Sequence, residues 1–206
     1  MGEKPLNNAK MLPPCLNKEV LMAKIHFNTA FEGMTVKDIN TWIVFNRKRL
    51  VGSAIFTCND SFTSKVVRWA ENWGEKNKEK FTPSHTGSII EYQKQLCVFD
   101  MKPLKATITP LANYLLHTKD TYALVLRDFS IDEKMFSLNI AEHIGEFYPF
   151  MSAIRSVFTK RQSKWRTHCS ELHLRELQKQ GLFTDLNPEI CPDELFYEMT
   201  NKKKGG

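Results

Sequence analysis

Residues 83–101 have the sequence PSHTGSIIEYQKQLCVFDM, and this stretch decides the fold that the sequence predicts. Within it, His85–Tyr92 and Gln95–Met101 are rich in β-branched and aromatic residues, and only the polar residues 93–94 separate them. Two such segments joined by a two-residue turn are typical of a β-hairpin. The sequence therefore predicts two adjacent antiparallel strands, with His85 at the start of the first.

Outward from this hairpin, predicted strands and helices are interspersed along the chain. Apolar spacing predicts strands at 52–57 and 122–127, and helices at 62–76, 131–144 and 169–180. Thr35 is a candidate helix cap with Asp38 three residues later, and Thr109 is a second candidate cap with Pro110 at the first helical position. Strand pairs beside separate helices indicate an α+β fold, with a small antiparallel sheet packed against helices.

The composition of the chain narrows the functional classes to which the protein can belong. The chain has 206 residues, 42% of them hydrophobic, which suits one folded core. Its net charge is +6, but the basic residues are dispersed and form no nucleic-acid-binding motif, so we expect no specific nucleic-acid partner. Apolar runs are too short for a transmembrane segment.

The cysteines and the N-terminal residues bear on the cellular compartment in which the protein is expected. The five cysteines are scattered and form no CxxC pair, which favours reduced thiols over a disulfide framework. The first residues lack the basic and apolar regions of a secretion signal. We therefore expect a protein that is cytoplasmic as synthesised. A protein that acts on the cell wall would then need another route, as a phage-encoded, virion-associated or exported component.

Cys169 is the candidate nucleophile. It opens the predicted helix at 169–180, where unpaired backbone N–H groups and the helix dipole stabilise a thiolate. The same N–H groups can bind the oxyanion of a tetrahedral intermediate. A cysteine that only packs in the core is the alternative, because most free cysteines do so.

His85 is the candidate base, since an imidazole titrates near neutrality and lies here at a strand edge. A carboxylate would hold its tautomer. Asp100 on the second hairpin strand is favoured for this role. Glu91 is the alternative, but it lies about 19 Å further along the strand of His85.

A metal site is the competing interpretation of the cysteine. Cys169 and His173 lie four residues apart on one helical face, with His168 adjacent. Because the sequence contains no other Cys/His pair at ligand spacing, we expect no metal and no cofactor.

The order of several short motifs resembles a known family. The motifs are Gly52-Ser53-Ala54-Ile55-Phe56, Ser84-His85-Thr86-Gly87, Val98-Phe99-Asp100, Thr109-Pro110-Leu111, Gly145-Glu146-Phe147-Tyr148-Pro149-Phe150, Cys169-Ser170-Glu171-Leu172 and Pro192-Asp193-Glu194-Leu195. Histidine precedes cysteine, and the set resembles the circularly permuted papain-like enzymes of the NlpC class, most of all the YiiX-like branch. The lecithin:retinol acyltransferases are more distant relatives. Two positions depart from the pattern, because Ser53 and Pro149 stand where the family has aspartate.

The resemblance implies a fold, a set of roles and a division of the chain. It implies a permuted papain-like (NlpC-type) catalytic domain over residues 51–200, an N-terminal extension over 1–50 and a disordered tail over 201–206. It makes Cys169 the nucleophile, His85 the base and then acid, and Asp100 the orienting group. The backbone N–H of Cys169 contributes to the oxyanion site, where Asn59 and Tyr148 are further candidates for oxyanion or substrate contacts.

Three functions remain open on the sequence. The first is a cysteine hydrolase that cleaves a peptide or peptidoglycan stem-peptide amide through a thioester acyl-enzyme. The second uses the same Cys-His dyad on lipid esters or acyl chains. The third is a binding module on this scaffold whose dyad is idle.

Overall fold

The computed structural model describes residues 24–58, 81–101, 105–146 and 169–201. Within these residues the strands are β1 (Ile25–Phe27), β2 (Ala54–Cys58), β3 (His85–Tyr92), β4 (Gln95–Met101), β5 (Ala106–Pro110) and β6 (Thr121–Val125). The helices of the same residues are α1 (Val36–Leu50), α2 (Leu111–His117), α3 (Glu133–Ala141), α4 (Cys169–Gln178) and α5 (Pro192–Asn201), with a 3₁₀ turn at Asn28–Phe31. The fold is α+β, as the sequence predicts.

The strands form one antiparallel sheet in the order β1-β6-β2-β3-β4-β5. β2 and β3 lie at its centre, and Ile55, Ile89 and Ile90 in them are fully buried. Thr57 near the end of β2 pairs with His85 at the start of β3, and β4 ends close by at Met101. The hairpin therefore places His85 and the end of β4 at the same end of the sheet.

The helices cover the central strands. α3 and α4 pack on β3 and on each other, α5 packs on α4 and β6, and α1 packs on α2. Leu174 of α4 and Leu195 of α5 are both fully buried in a cluster with Phe56 of β2. This packing brings the N-terminal end of α4, where Cys169 lies, against the starting strand of the hairpin.

The predicted hairpin is present with the predicted turn. Residues Gln93 and Lys94 join β3 to β4, and both have positive φ angles, 50° and 63°. Positive φ at both central residues is the geometry that matches the twist of paired strands, although Asn and Gly adopt it more readily than Gln and Lys. The neighbouring ladder, from Ser88↔Phe99 to Tyr92↔Gln95, therefore sets the register here.

The helix predicted after Thr35 is confirmed as α1. Thr35 accepts a hydrogen bond from the Asp38 N–H, and the Asp38 side chain accepts one from the Thr35 N–H at 3.0 Å, which is a capping box. α1 also supplies Trp42, which is fully buried in the main core. Since β1 pairs with β6, the described part of residues 1–50 shares both the sheet and the core of the later residues.

The short helix near residue 110 is present, but the prediction of its cap was wrong. Thr109 and Pro110 belong to β5, where they pair with Val98 and Cys97 of β4. The helix α2 begins only at Leu111, and Pro110 in an extended conformation is its N-cap without a side-chain hydrogen bond. Pairing with a long buried strand satisfies more backbone groups than one cap does, and it therefore decides the conformation here.

Several predicted segments fall outside the described residues. These are the helix at 62–76 and, apart from Asn201 at the end of α5, the tail at 201–206. Among the described residues, no helix is both long enough and apolar enough to cross a membrane.

Candidate active site

Cys169 is the first residue of α4, and its thiol is only half-buried. The helix is anchored directly behind it, because the hydroxyl of the fully buried Ser170 donates to the carbonyl of Ile190 at 2.6 Å. The Cys169 sulfur therefore lies at the positive end of a fixed helix dipole, where a thiolate is favoured.

Thr86 supplies a second backbone donor to this sulfur. Its N–H donates to Cys169 Sγ at 3.4 Å. Thr86 pairs with Phe56 of β2, but on its other side the β3–β4 ladder ends at Ser88 and Phe99, so the Thr86 N–H is available to the thiol there. Sequence analysis missed this contact. A backbone donor has no side-chain signature, and only the end of the ladder reveals it.

His85 lies between a carboxylate and the thiol. Its Nε2 forms a hydrogen bond with Asp100 Oδ1, and its ring lies close enough to Cys169 for the two groups to shift each other's pKa. With Nε2 engaged by Asp100, Nδ1 is the ring atom left to face the sulfur. The His85 side chain is 22% exposed, so the ring retains access to solvent. One imidazole thus connects the two groups, as in nucleophile–base–acid triads.

Of the two carboxylates that the sequence offers, Asp100 is the one beside His85. It lies on β4, and its side chain is 7% exposed. Glu91 instead forms an ion pair with Arg47 of α1. The hairpin register explains the difference, because Ser88↔Phe99 is the last ladder pair and Asp100 follows Phe99 toward the end of the sheet where β3 begins.

Gly87 allows the hairpin strands to approach closely beside the His85–Asp100 pair. A Cβ atom at this position would lie 3.0 Å from Val98 Cγ1 and 3.3 Å from the Phe99 carbonyl oxygen. Any larger residue would push β4 away from β3. The glycine of the Ser84-His85-Thr86-Gly87 motif therefore has a packing role next to the site.

The charges of the site favour an ion pair between Cys169 and His85. Burial alone would lower the pKa of His85, but the adjacent Cys169 and Asp100 outweigh burial and raise that pKa well above its usual value. Burial alone would raise the pKa of Cys169, whereas His85 and the N–H groups of Thr86 and Ser170 lower it below that of an ordinary thiol. Both shifts favour a thiolate paired with an imidazolium over the neutral thiol and imidazole.

Asp100 also affects its own surroundings. Burial, followed by the charges of Asp100 and Asp120, raises the pKa of Tyr114, so this phenol stays neutral. Tyr114 belongs to α2 and is itself buried. Tyr114 therefore adds no second negative charge beside Asp100, whose carboxylate stabilises a positive charge on His85.

We expect Asp100→Asn to lower the rate of Cys169 alkylation at pH 6 by about tenfold, which corresponds to one unit in the pKa of the thiol. Asparagine keeps an oxygen that can hydrogen-bond with His85 but removes the charge that favours the imidazolium. The measurement is iodoacetamide labelling of the Cys169 peptide, quantified by mass spectrometry. The matched control is Asp128→Asn, because Asp128 pairs with Lys24 at the surface. An unchanged rate in Asp100→Asn would show that the charge of Asp100 does not stabilise the imidazolium.

Three further candidates come from the sequence. Asn59 and Tyr148 lie outside the described residues. His173, considered above as a metal ligand, is fully buried and hydrogen-bonds with Ser88. Within the described ranges there is no group of three or more His, Cys, Asp or Glu residues that could hold a metal ion.

The arrangement is suited to nucleophilic attack on a carbonyl carbon. A thiolate at a helix terminus can act as a nucleophile, an adjacent imidazolium can protonate a leaving group, and helix-terminal N–H groups can stabilise an oxyanion. In comparisons with known proteins, no protein-family model matches the chain and no curated protein matches it. The chemistry of this site must therefore be inferred from its own residues.

Proposed function

We propose that the protein is a cysteine hydrolase that cleaves an amide bond through a thioester acyl-enzyme. The observation that carries the proposal is the position of His85, which hydrogen-bonds with Asp100 and lies beside Cys169. Two backbone N–H groups near the sulfur, from Thr86 and Ser170, add to this observation.

The first half of the reaction forms the acyl-enzyme. The Cys169 thiolate attacks the carbonyl carbon of the amide and forms a tetrahedral oxyanion, which the N-terminal N–H groups of α4 stabilise. The C–N bond then breaks, and the His85 imidazolium gives its proton to the departing amine. The products are a free amine and a thioester on Cys169, with His85 neutral.

The second half releases the acid and restores the ion pair. Neutral His85 takes a proton from a water molecule, whose oxygen attacks the thioester carbon. The C–S bond breaks, the acyl group leaves as a carboxylic acid, and the thiolate and imidazolium are restored. Asp100 stabilises the positive charge on His85 in each state in which the ring is protonated.

We further propose the permuted papain-like arrangement for the fold and peptides or peptidoglycan stem peptides for the substrate. An antiparallel hairpin that carries His85 and Asp100, followed by a helix that begins with Cys169, supports this fold assignment. The substrate class comes from the resemblance of the motifs to NlpC-class enzymes.

The ion pair also predicts how hydrolysis depends on pH. Below the lowered pKa of Cys169 the thiol is protonated, and above the raised pKa of His85 the ring has no proton for the leaving amine. The hydrolysis rate should therefore be bell-shaped, with its plateau between the two values. Alkylation needs only the thiolate, so its rate should rise once with increasing pH and then stay high.

The test is the rate of Cys169 alkylation by iodoacetamide across pH 4–10, followed at the Cys169 peptide. We expect a high rate well below the free-thiol pKa of about 8.5. The same peptide in urea-unfolded protein and the Cys191 peptide of the folded protein serve as references. If Cys169 labels along an ordinary thiol titration, the ion pair is absent and the chain is better described as a binding module.

A further inference from the structure

Ser88 and His173 make a second contact between the two elements that carry the site. The Ser88 hydroxyl of β3 hydrogen-bonds with His173 Nδ1 of α4 at 2.8 Å. Both residues are buried, with exposures of 2% and 0%. The Phe136 ring of α3 packs against His173 in a T-shaped arrangement, with 5.5 Å between the ring centres.

The Ser88–His173 hydrogen bond lies beside the hydrogen bond between Thr86 and Cys169. Ser88 follows Thr86 by two residues on β3, so their side chains point to the same face of the sheet. His173 follows Cys169 by four residues on α4, so both lie on one helical face. The Thr86–Cys169 and Ser88–His173 hydrogen bonds therefore join the same strand to the same helix, one turn apart.

Stability alone does not account for a histidine at this position. Burial lowers the pKa of His173 to about 3, so the ring is neutral at the pH at which the enzyme works. Its Nε2 is buried and has no hydrogen-bond partner among the residues that the structure describes, which carries a desolvation cost. A leucine would fill this part of the core without that cost. The specific gain from histidine is the directional bond to Ser88.

We propose that Ser88 and His173 are a positioning pair that fixes α4 against β3 and thereby holds Cys169 Sγ against the Thr86 N–H and the His85 ring. The inference rests on the proposed cysteine chemistry of Cys169. Neither residue touches the reacting atoms. They act through the location of the sulfur, since a thiolate is stabilised by donors only at hydrogen-bonding distance.

The test compares four single variants, and the double variant Ser88→Ala/His173→Leu, by the pH dependence of Cys169 alkylation. Ser88→Ala and His173→Leu each remove the hydrogen bond. His173→Asn keeps an amide close to the position of Nδ1 and should recover most of the rate. Ser137→Ala is the matched control, because the buried Ser137 hydroxyl also joins β3 to a helix, accepting the Glu91 N–H at 3.0 Å, but on α3.

We expect the alkylation rate at pH 6 to fall about tenfold in Ser88→Ala and in His173→Leu, with the midpoint moved toward that of a free thiol. The double variant should fall no further than either single variant, because both remove one interaction. Thermal unfolding is measured in parallel. A purely structural role would lower the melting temperature and leave the midpoint unchanged, and that result overturns the proposal.

The outcomes separate this inference from the proposed function. A wild-type protein whose Cys169 titrates like a free thiol overturns the proposed function. A low wild-type midpoint that persists in Ser88→Ala overturns the positioning role alone. Ser88→Ala deletes a single oxygen atom, so it decides the question even if His173→Leu does not fold.

Discussion

Replacing Cys169 with alanine should abolish hydrolysis, with a loss on the order of 10⁴–10⁶-fold that leaves only the contribution of binding and of the oxyanion donors. Alanine cannot form a thioester. Cys169→Ser should also be inactive, because its hydroxyl stays protonated beside His85, whereas the thiol of Cys169 has a lowered pKa.

The measurement of this loss uses an activated acyl donor, so that it does not depend on the natural substrate. The rate of p-nitrophenolate release from a p-nitrophenyl ester measures the loss. Mass spectrometry of the protein after mixing should show one acyl group, carried by the Cys169 peptide. The control is Cys191→Ser, in which a half-buried thiol at the start of the α5 region is removed and acylation should persist. Acylation that survives in Cys169→Ala would place the nucleophile elsewhere.

His85→Ala should lower the rate of Cys169 alkylation at pH 6 by about a hundredfold, equivalent to two units in the pKa of the thiol. In the native protein, the charge of the imidazolium and its hydrogen bond to the sulfur both lower the pKa of Cys169. Without the ring, burial raises that pKa, and only the backbone N–H groups of Thr86 and Ser170 oppose the effect. At pH 10 the thiol ionises in either protein, so the two rates should converge there.

The matched control for this variant is His143→Ala. His143 is also a half-buried histidine with a carboxylate partner, since its Nδ1 lies 2.8 Å from Glu146 Oε2, but its contacts do not include Cys169. Its loss should leave the labelling profile unchanged. If His85→Ala and His143→Ala label alike at pH 6, the base assignment is wrong, and the thiol owes its reactivity to the backbone N–H groups of Thr86 and Ser170.

The sequence predicted best the ends of helices that residues a few positions apart determine. Thr35 and Asp38 form the expected capping box, and Gly181, which lies just past the end of α4, has a φ angle of 79°, the left-handed geometry in which helices commonly stop. These features depend on residues a few positions apart, whose interactions hold in almost any surrounding structure.

The same signals missed or misplaced elements that long-range pairing decides. β1 has three residues and is a strand only because β6 pairs with it. Thr109, which the sequence suggested as a helix cap, belongs instead to β5, because it pairs with Val98 of β4. A short segment has weak intrinsic preference, so the partner strand determines its conformation.

For the site, the sequence by itself determined which side chains have the required chemistry: a cysteine at the start of a helix and a histidine at the start of a strand. Only the tertiary structure decided which groups surround them. It places Asp100 beside His85, with Glu91 paired to Arg47, and it brings the Thr86 N–H to the sulfur across 83 residues of chain. The physical reason is that capping and strand propensity act between near neighbours in sequence, whereas hydrogen bonds between elements depend on sheet register and on how α4 packs against β3.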